Sequence, residues 1–345
     1  MKSKINIIAE IGVNHNGKFL TAIKLMQKAK KCGADSVKFQ TFFTDEFCKE
    51  DTKKAFYQIK QTPKKLSHYN MLKNLELKEY EFFKLYNFAQ KLKLNFISTP
   101  YDIKSVRLLR KLNINCFKTA STDLVDLLLH KEIIKTRKPV IISTGASTIS
   151  EIKKTINFYK KNKHNKISLL HCVSNYPCSD ESLNLNVIST LRNTFKLPVG
   201  FSDHSSNSKA ATLAVALGAK IIEKHFTLDK TMSGPDHYSS ADPKTFKKYV
   251  HLLRETEKLL GTFVKIIQPE EKSIRRISRK SITAKSNISK NTRIRSKDIT
   301  MKRPGTGLNG HQLSRVLGKR LKFNIKKNYQ IKIEDLKRWY LYPLD

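Results

Sequence analysis

The chain has 345 residues, more than one hydrophobic core usually spans, so a large domain with a small companion is expected. Its 39% apolar content and scattered prolines exclude a disordered or collagen-like chain, and no run approaches the ~20 apolar residues of a membrane-spanning helix. A formal charge of +38 suggests a polyanion partner. However, lysine is dispersed, as at Lys24, Lys28, Lys30 and Lys31, and not gathered with arginine and aromatics on one element, which favours solvated lysine faces over a nucleic-acid or anionic-surface binder.

The five cysteines, Cys32, Cys48, Cys116, Cys172 and Cys178, have neither metal-finger spacing nor an even number for a disulfide framework. The N-terminus enters Ile5-Asn6-Ile7-Ile8-Ala9-Glu10 without a signal-like charged and apolar region. A soluble, cytoplasmic protein is expected.

In chain order, β-branched runs at 5–10, 36–41, 95–99, 116–120, 139–143, 167–172, 198–202 and 219–225 alternate with amphipathic segments. Leu20, Ile23, Leu25, Met26 and Ala29 mark an early helix, and Phe246, Tyr249, Val250, Leu252 and Leu253 a late one. Eight βα units in ~250 residues predict an α/β fold, a (β/α)8 TIM barrel. A doubly wound sheet is the alternative, but no Gly-x-Gly-x-x-Gly follows the first strand.

The connection from Phe42 to about Leu77 is long enough to expect a functional or mobile loop. After Gly261 the pattern breaks at Gln268-Pro269-Glu270-Glu271. A catalytic domain over 1–265, a linker over 266–277 and a small β-rich domain over 278–345 are predicted, with strands at Ser281-Ile282-Thr283-Ala284 and Ile331-Lys332-Ile333. So small a domain is marginal alone and is expected to pack on another surface.

In a barrel of this kind the chemistry sits at the C-terminal strand ends. Those ends supply Glu10, Lys38 with Gln40, Thr99, Lys118, Ser143, His171, Ser202 with His204, and Glu223 with His225. Alternation puts Lys38 and Gln40 on one face and Val37 and Phe39 on the other. His204 and His225 close strands expected to be neighbours at about 4.8 Å, which suits two ligands of one divalent ion, although a structural histidine pair is the competing reading. Glu10, Glu223 and Asp236 are candidate outer ligands or orienting groups. Lys38 and Lys118 would be costly to bury without an anion. A phosphate would satisfy both, with Ser121, Ser143 and Ser202 donating to it. The alternatives are a lysine that snorkels outward with serines that cap helices, or one Schiff-base lysine of an aldolase.

Several of these residues lie in longer strings. Ile8-Ala9-Glu10-Ile11-Gly12-Val13-Asn14-His15-Asn16-Gly17, Val37-Lys38-Phe39-Gln40-Thr41, Ser98-Thr99-Pro100-Tyr101-Asp102, Leu169-Leu170-His171-Cys172, Gly200-Phe201-Ser202-Asp203-His204, Ile222-Glu223-Lys224-His225-Phe226-Thr227 and Gly234-Pro235-Asp236-His237 resemble, in order, the N-acetylneuraminate synthase family. Arg303-Pro304-Gly305-Thr306-Gly307 resembles part of that family's C-terminal antifreeze-like (SAF) domain.

The resemblance implies condensation of phosphoenolpyruvate with N-acetylmannosamine or a related N-acetylated amino sugar to a nonulosonic acid. A diacetylated 6-deoxy sugar, leading to legionaminic or pseudaminic acid, is the alternative within the same chemistry. It also implies Mn2+ or Mg2+ on His204 and His225. Phosphoenolpyruvate would be held by Lys38, Thr99, Lys118, Ser121, Ser143, Ser174 and Ser202. The sugar would meet Glu10, Gln40, Asp123, Tyr176 and Asp236, with catalysis carried by Glu10, Lys38, Lys118 and Glu223. Arg303 would reach the barrel of a partner subunit in a domain-swapped homodimer. The chain departs from the family at Ser174, where asparagine is common, at Ser121-Thr122-Asp123, where Ser-Gly-Glu is common, and at Tyr238-Ser239-Ser240. These departures bear on the choice of sugar and leave the reaction class alone.

Overall fold

Each β-branched run forms a strand: β1 Asn6–Gly12, β2 Ser36–Thr41, β3 Asn95–Pro100, β4 Cys116–Thr119, β5 Val140–Ser143, β6 Ile167–His171, β7 Val199–Asp203 and β8 Ile221–His225. In the computed structural model, which describes residues 4–63 and 65–337, these strands close a barrel in sequence order, with β8 pairing back onto β1. Every pairing is parallel. Both faces of such strands are covered, so their sequences read as nearly continuous apolar runs.

The two faces have different uses. Outward residues such as Ile7, Val37, Phe39, Phe96, Phe117, Leu169, Phe201 and Ile222 join the large core beneath the helices. Inward, Ile8, Ile97, Ile141 and Leu170 form a separate apolar plug. One pleat further along, Glu10, Lys38, Thr99, Lys118, Ser143, Ser202 and Glu223 take the inward positions and form the floor of the barrel mouth.

Helix ends are set by local chemistry. Asp102 accepts from the Ser105 N–H at the start of helix Ile103–Lys111, Asp126 caps Leu127–Lys135, and Thr148 with Glu151 forms a capping box on Ile149–Lys161. Helix Phe19–Lys31 buries Ala22, Leu25, Met26 and Ala29, and Pro243–Leu260 buries Phe246, Tyr249, Val250 and Leu253. Each large side chain so buried contributes about 1.5–3 kcal/mol.

The segment between β2 and β3 contains the short helices Thr44–Phe47, Phe56–Gln61 and His68–Lys73 before helix Glu79–Lys91. Its Phe42, Met71 and Leu75 pack with Val13 in a small apolar cluster of their own.

The chain divides into two units after Gly261. The second holds helix Glu271–Ser278 and the antiparallel pair β9 Ser281–Ala284 and β10 Ile299–Lys302. Its own core gathers Ile282, Ile288, Ile294, Val316, Leu321, Ile325 and Ile331. The strand expected over Ile331-Lys332-Ile333 is not formed. The Ile331 N–H bonds to the Ile282 carbonyl at 2.9 Å, but Asp335 accepts from the Lys332 N–H at 2.7 Å and turns Ile333–Asp335 into a 3-10 helix. Among the described residues no helix is long and apolar enough to cross a membrane.

Candidate active site

The C-terminal ends of the strands surround a cavity of ≈ 400 Å³. Glu10, Lys38, Gln40, Thr99, Lys118, Ser121, Ser143, Ser174, Tyr176, Ser202, His204, Glu223, His225 and Asp236 all line it. Glu10 owes its position to a bulge: the β1–β2 register slips between Glu10 and Gly12. Gly12 takes φ +53° there, and a Cβ on it would stand 3.1 Å from Glu10 Oε1 and 3.2 Å from Gln40 Nε2.

Four buried charges meet on the floor. Lys38 Nζ lies 3.0 Å from Glu10 Oε1 and 3.6 Å from Glu223 Oε1, and Lys118 Nζ lies 4.0 Å from Glu223 Oε2. Burial pushes Glu10 up to about 7 against the pull of Lys38. Burial also acts against the Glu223 carboxylate, yet Lys118 and Lys38 together outweigh it and hold Glu223 near 2. Lys118 is lowered by burial, whereas at Lys38 burial is overcome by Glu10 and Glu223 and the ammonium form is favoured. Glu10 Oε2 and Glu223 Oε2 are buried with no hydrogen-bond partner. A floor with unspent carboxylate oxygens and two desolvated ammonium groups is arranged for a polar ligand.

Hydroxyls flank the lysines. Lys118 Nζ donates to Ser143 Oγ at 2.5 Å and to the Thr119 carbonyl at 3.1 Å, and Lys38 Nζ donates to Thr99 Oγ1 at 3.3 Å. Ser121 Oγ accepts from the Gly145 N–H at 3.1 Å and stands 3.1 Å from Cys172 Sγ. A Cβ on Gly145 would fall 2.4 Å from Ser174 Oγ, 2.8 Å from Ser121 Oγ and 2.9 Å from Cys172 Sγ, so glycine keeps this cradle open.

The His204 and His225 rings meet edge to face, with centroids 5.6 Å apart. His204 Nδ1 bonds to the Val173 carbonyl at 2.7 Å, which places its proton there and leaves Nε2 the lone-pair nitrogen, 3.3 Å from Ser202 Oγ. His225 Nδ1 is buried without a hydrogen-bond partner, 3.8 Å from Asp236 Oδ2. Burial holds His204 near 4 and His225 well below the ordinary imidazole range, and it raises Asp236 to about 6. Neutral imidazoles are the metal-binding form. Among the described residues no group of three or more His, Cys, Asp or Glu is arranged to enclose a metal. His204 Nε2 and the unpartnered His225 Nδ1 are two imidazole nitrogens that could serve one ion, the rest of whose shell would be oxygen from elsewhere.

Three expected residues lie elsewhere. Asp123 is absent from the cavity lining; its Oδ2 is buried without a partner and burial raises it to about 6. Arg303 belongs to the second unit, exposed, with Nε donating to the Ser278 carbonyl at 3.0 Å. His171 points out of the barrel, bonding the Leu183 carbonyl at 2.7 Å and stacking on Phe201. Strand alternation accounts for this: Leu170 is inward, so His171 is outward and Cys172 inward. Strict parity in β6 could have identified Cys172 from the sequence. The cavity is also lined by Phe42, Phe47, Met71, Leu72 and Leu75 of the long connection between β2 and β3, and by Tyr101 after β3.

The chain matches a family model described as the NeuB family over residues 25–265 and a SAF domain over residues 279–337. It is 44% identical over 330 residues to an uncharacterized protein of Methanocaldococcus jannaschii, covering 96% of this chain and 94% of that one. To the N,N'-diacetyllegionaminic acid synthase of Legionella pneumophila it is 40% identical over 323 residues, 92% and 91% of the two chains. Among solved structures, the N-acetylneuraminic acid synthetase of Leptospira borgpetersenii, in complex with citrate, superposes with a TM-score of 0.69 at 32% identity, covering 79% of this chain and 90% of that one.

Proposed function

The chain belongs to the NeuB family, and from that premise we propose that it condenses phosphoenolpyruvate with an N-acetylated amino sugar and water, giving a nonulosonic acid and phosphate. The observation that carries the reading is the buried set Glu10, Lys38, Lys118 and Glu223, flanked by hydroxyls and set beside two neutral imidazoles.

Lys38 and Lys118 hold the phosphate and carboxylate of phosphoenolpyruvate, with Thr99, Ser121, Ser143, Ser174 and Ser202 donating hydrogen bonds. Binding the anion exchanges carboxylate partners for phosphate partners, which offsets the cost of burying both lysines. Gln40, Tyr176 and Asp236 orient the sugar. His204 and His225 would hold Mn2+ or Mg2+, which when bound supplies Lewis acidity toward the open-chain aldehyde. C3 of phosphoenolpyruvate bonds to the aldehyde carbon, whose oxygen takes up a proton. Water adds to the cationic C2 that results, Glu10 accepts the proton it loses, and the tetrahedral product expels phosphate by C–O cleavage. A carboxyl held near 7 suits that exchange at neutral pH.

For the sugar, N-acetylmannosamine is one candidate. A 6-deoxy diacetylated sugar is the other, supported by the 40% identity to a protein named N,N'-diacetyllegionaminic acid synthase. For assembly, Phe263, Val264, Ile266, Ile267, Ile274 and Ile277 are all exposed in the single chain, which supports a homodimer in which Arg303 completes a partner's barrel. A cytoplasmic location fits a biosynthetic enzyme of this kind.

A second reading, a Schiff-base aldolase on Lys118, draws on the lowered pKa of that lysine. Protein stripped with chelator, resupplied with Mn2+ and given phosphoenolpyruvate with each sugar separates the two. Metal-dependent release of phosphate with formation of a nonulosonic acid supports the synthase. Borohydride trapping of pyruvate on Lys118 supports the aldolase.

A further inference from the structure

The register between β7 and β8 ends at Asp203↔Lys224, one residue before His204 and His225. The spacing of the two imidazoles is therefore left to side chains. Because Ser202, His204, Glu223 and His225 face the cavity, alternation turns Asp203 and Lys224 to the outer face of the barrel. There Lys224 Nζ lies 3.1 Å from Asp203 Oδ2 and donates to the Ser205 carbonyl. One ammonium group thus holds the residues on both sides of His204, and it belongs to the residue between Glu223 and His225. Asp203 closes the turn from its own side: Oδ1 accepts from the Ser205 N–H at 2.9 Å and from Ser205 Oγ at 2.7 Å, and Oδ2 accepts from the Tyr249 hydroxyl at 2.9 Å. Asp203 is 1% exposed and Lys224 7%.

We infer that Asp203 and Lys224 are positioning residues for the ion that His204 and His225 would hold. The role rests on the synthase reading above, whose two-imidazole site it concerns. A buried ion pair is often no more stabilising than apolar side chains of the same volume, so stability alone does not account for two desolvated charges at this place. Geometry does. The other anchors of His204, its Nδ1 on the Val173 carbonyl and its own carbonyl on the Cys178 N–H, lead to the loop after β6. The Lys224 contacts instead tie the residues flanking His204 to β8, the strand that carries His225. An ion needs its ligands placed to within about 0.2 Å, and groups behind the ligands that fix their orientation are typically worth about 10–100-fold in metal affinity.

Chelator-stripped protein titrated calorimetrically with Mn2+ or Mg2+, with no substrate present, reads affinity rather than turnover. Asp203→Asn combined with Lys224→Met roughly keeps the volume and removes both charges together. This double variant is expected to raise Kd for the ion by about 10–100-fold while its circular dichroism stays that of the folded chain. Tyr249→Phe disturbs the same buried cluster but leaves Lys224 on Asp203 and Ser205, and its Kd is expected to match that of the unaltered chain. If the double variant does not fold, Lys224→Gln takes its place: the side chain is shorter and uncharged, Asp203 keeps its Ser205 and Tyr249 donors, and Kd is expected to rise by at least about tenfold. An unchanged Kd in a folded Lys224 variant overturns the positioning role, and an equal rise in Tyr249→Phe does so too by making the cluster merely structural; either result leaves the synthase reading standing. An unaltered chain that binds neither ion overturns the two-imidazole site and the role with it.

Discussion

Lys38 Nζ stands 3.0 Å from Glu10 Oε1, across the register pair that joins β1 to β2 immediately before the bulge. The contact couples a cation suited to an anionic substrate with a carboxyl that burial holds near 7. Glu10→Gln keeps the shape and the Gln40 contact while removing the proton acceptor. A loss of about 10²–10⁴ in kcat is expected, with KM for phosphoenolpyruvate within a few-fold of the original. Steady-state phosphate release decides it, and a variant with full turnover removes Glu10 from the chemistry.

Lys118 bonds Ser143 at 2.5 Å in the cavity, whereas Glu223 keeps a second cation, Lys38, at 3.6 Å. Lys118→Met therefore does not strand an unpaired carboxylate. The variant is expected to fold with its denaturation midpoint little changed and to lose at least about a hundredfold in kcat/KM for phosphoenolpyruvate, the cost of one charge-assisted phosphate contact. Equal loss of folding and activity would make the lysine structural.

Two glycines should respond differently to alanine. At Gly145 the new Cβ meets the tips of Ser174, Ser121 and Cys172, side chains that can turn aside. Gly145→Ala is expected to raise KM for phosphoenolpyruvate with stability changed by less than about 1 kcal/mol. At Gly200 the Cβ would lie 2.3 Å from the Ile221 carbonyl oxygen, which belongs to the barrel wall. Gly200→Ala is expected to cost about 3 kcal/mol or more, seen as a lower denaturation midpoint.

Metal should stabilise the fold as well as activate it. At a concentration a hundred times its Kd, an ion that binds only the folded chain adds about 2.7 kcal/mol. Thermal unfolding with and without Mn2+ should show the shift in the unaltered chain and its loss in His225→Ala. An identical shift in both would place the ion elsewhere.

Acid stability has a separate source on the barrel's underside. Asp35 is engaged by Lys4, the Ile7 N–H and Arg254, which together outweigh its burial and hold its carboxyl below the usual range. A folded pKa below the unfolded one means that the contribution is complete above pH about 4 and fades as pH falls through the folded value. Asp35→Asn should therefore lower the denaturation midpoint at pH 7 and converge with the unaltered chain in acid. A penalty that persists unchanged at low pH would assign the effect to hydrogen-bond geometry and not to charge.

The eight strands were legible because a parallel strand covered on both faces must be apolar along its length, and Ile5–Ala9 or Val140–Ile142 can be little else. Most of the floor was legible too, because alternation alone assigns Lys38 with Gln40 and Glu223 with His225 to one face. The same alternation, followed strictly through β6, would have placed His171 outside and Cys172 inside; there the histidine's chemistry outweighed its parity. The strand at Ile331-Lys332-Ile333 failed because Asp335 captures a backbone N–H that a ladder would need.

By itself, then, the sequence determined the order of the elements and the face each polar side chain takes, since both follow from short-range periodicity. The tertiary structure decided which of those side chains meet. Lys38 reaches Glu223 only because β8 closes onto β1, Glu10 is aimed by the bulge at Gly12, and Phe42, Met71 and Leu75 of the long connection come to the cavity by packing on Val13. Such distances are set by barrel closure and by contacts between residues far apart in the chain, and no local pattern encodes them.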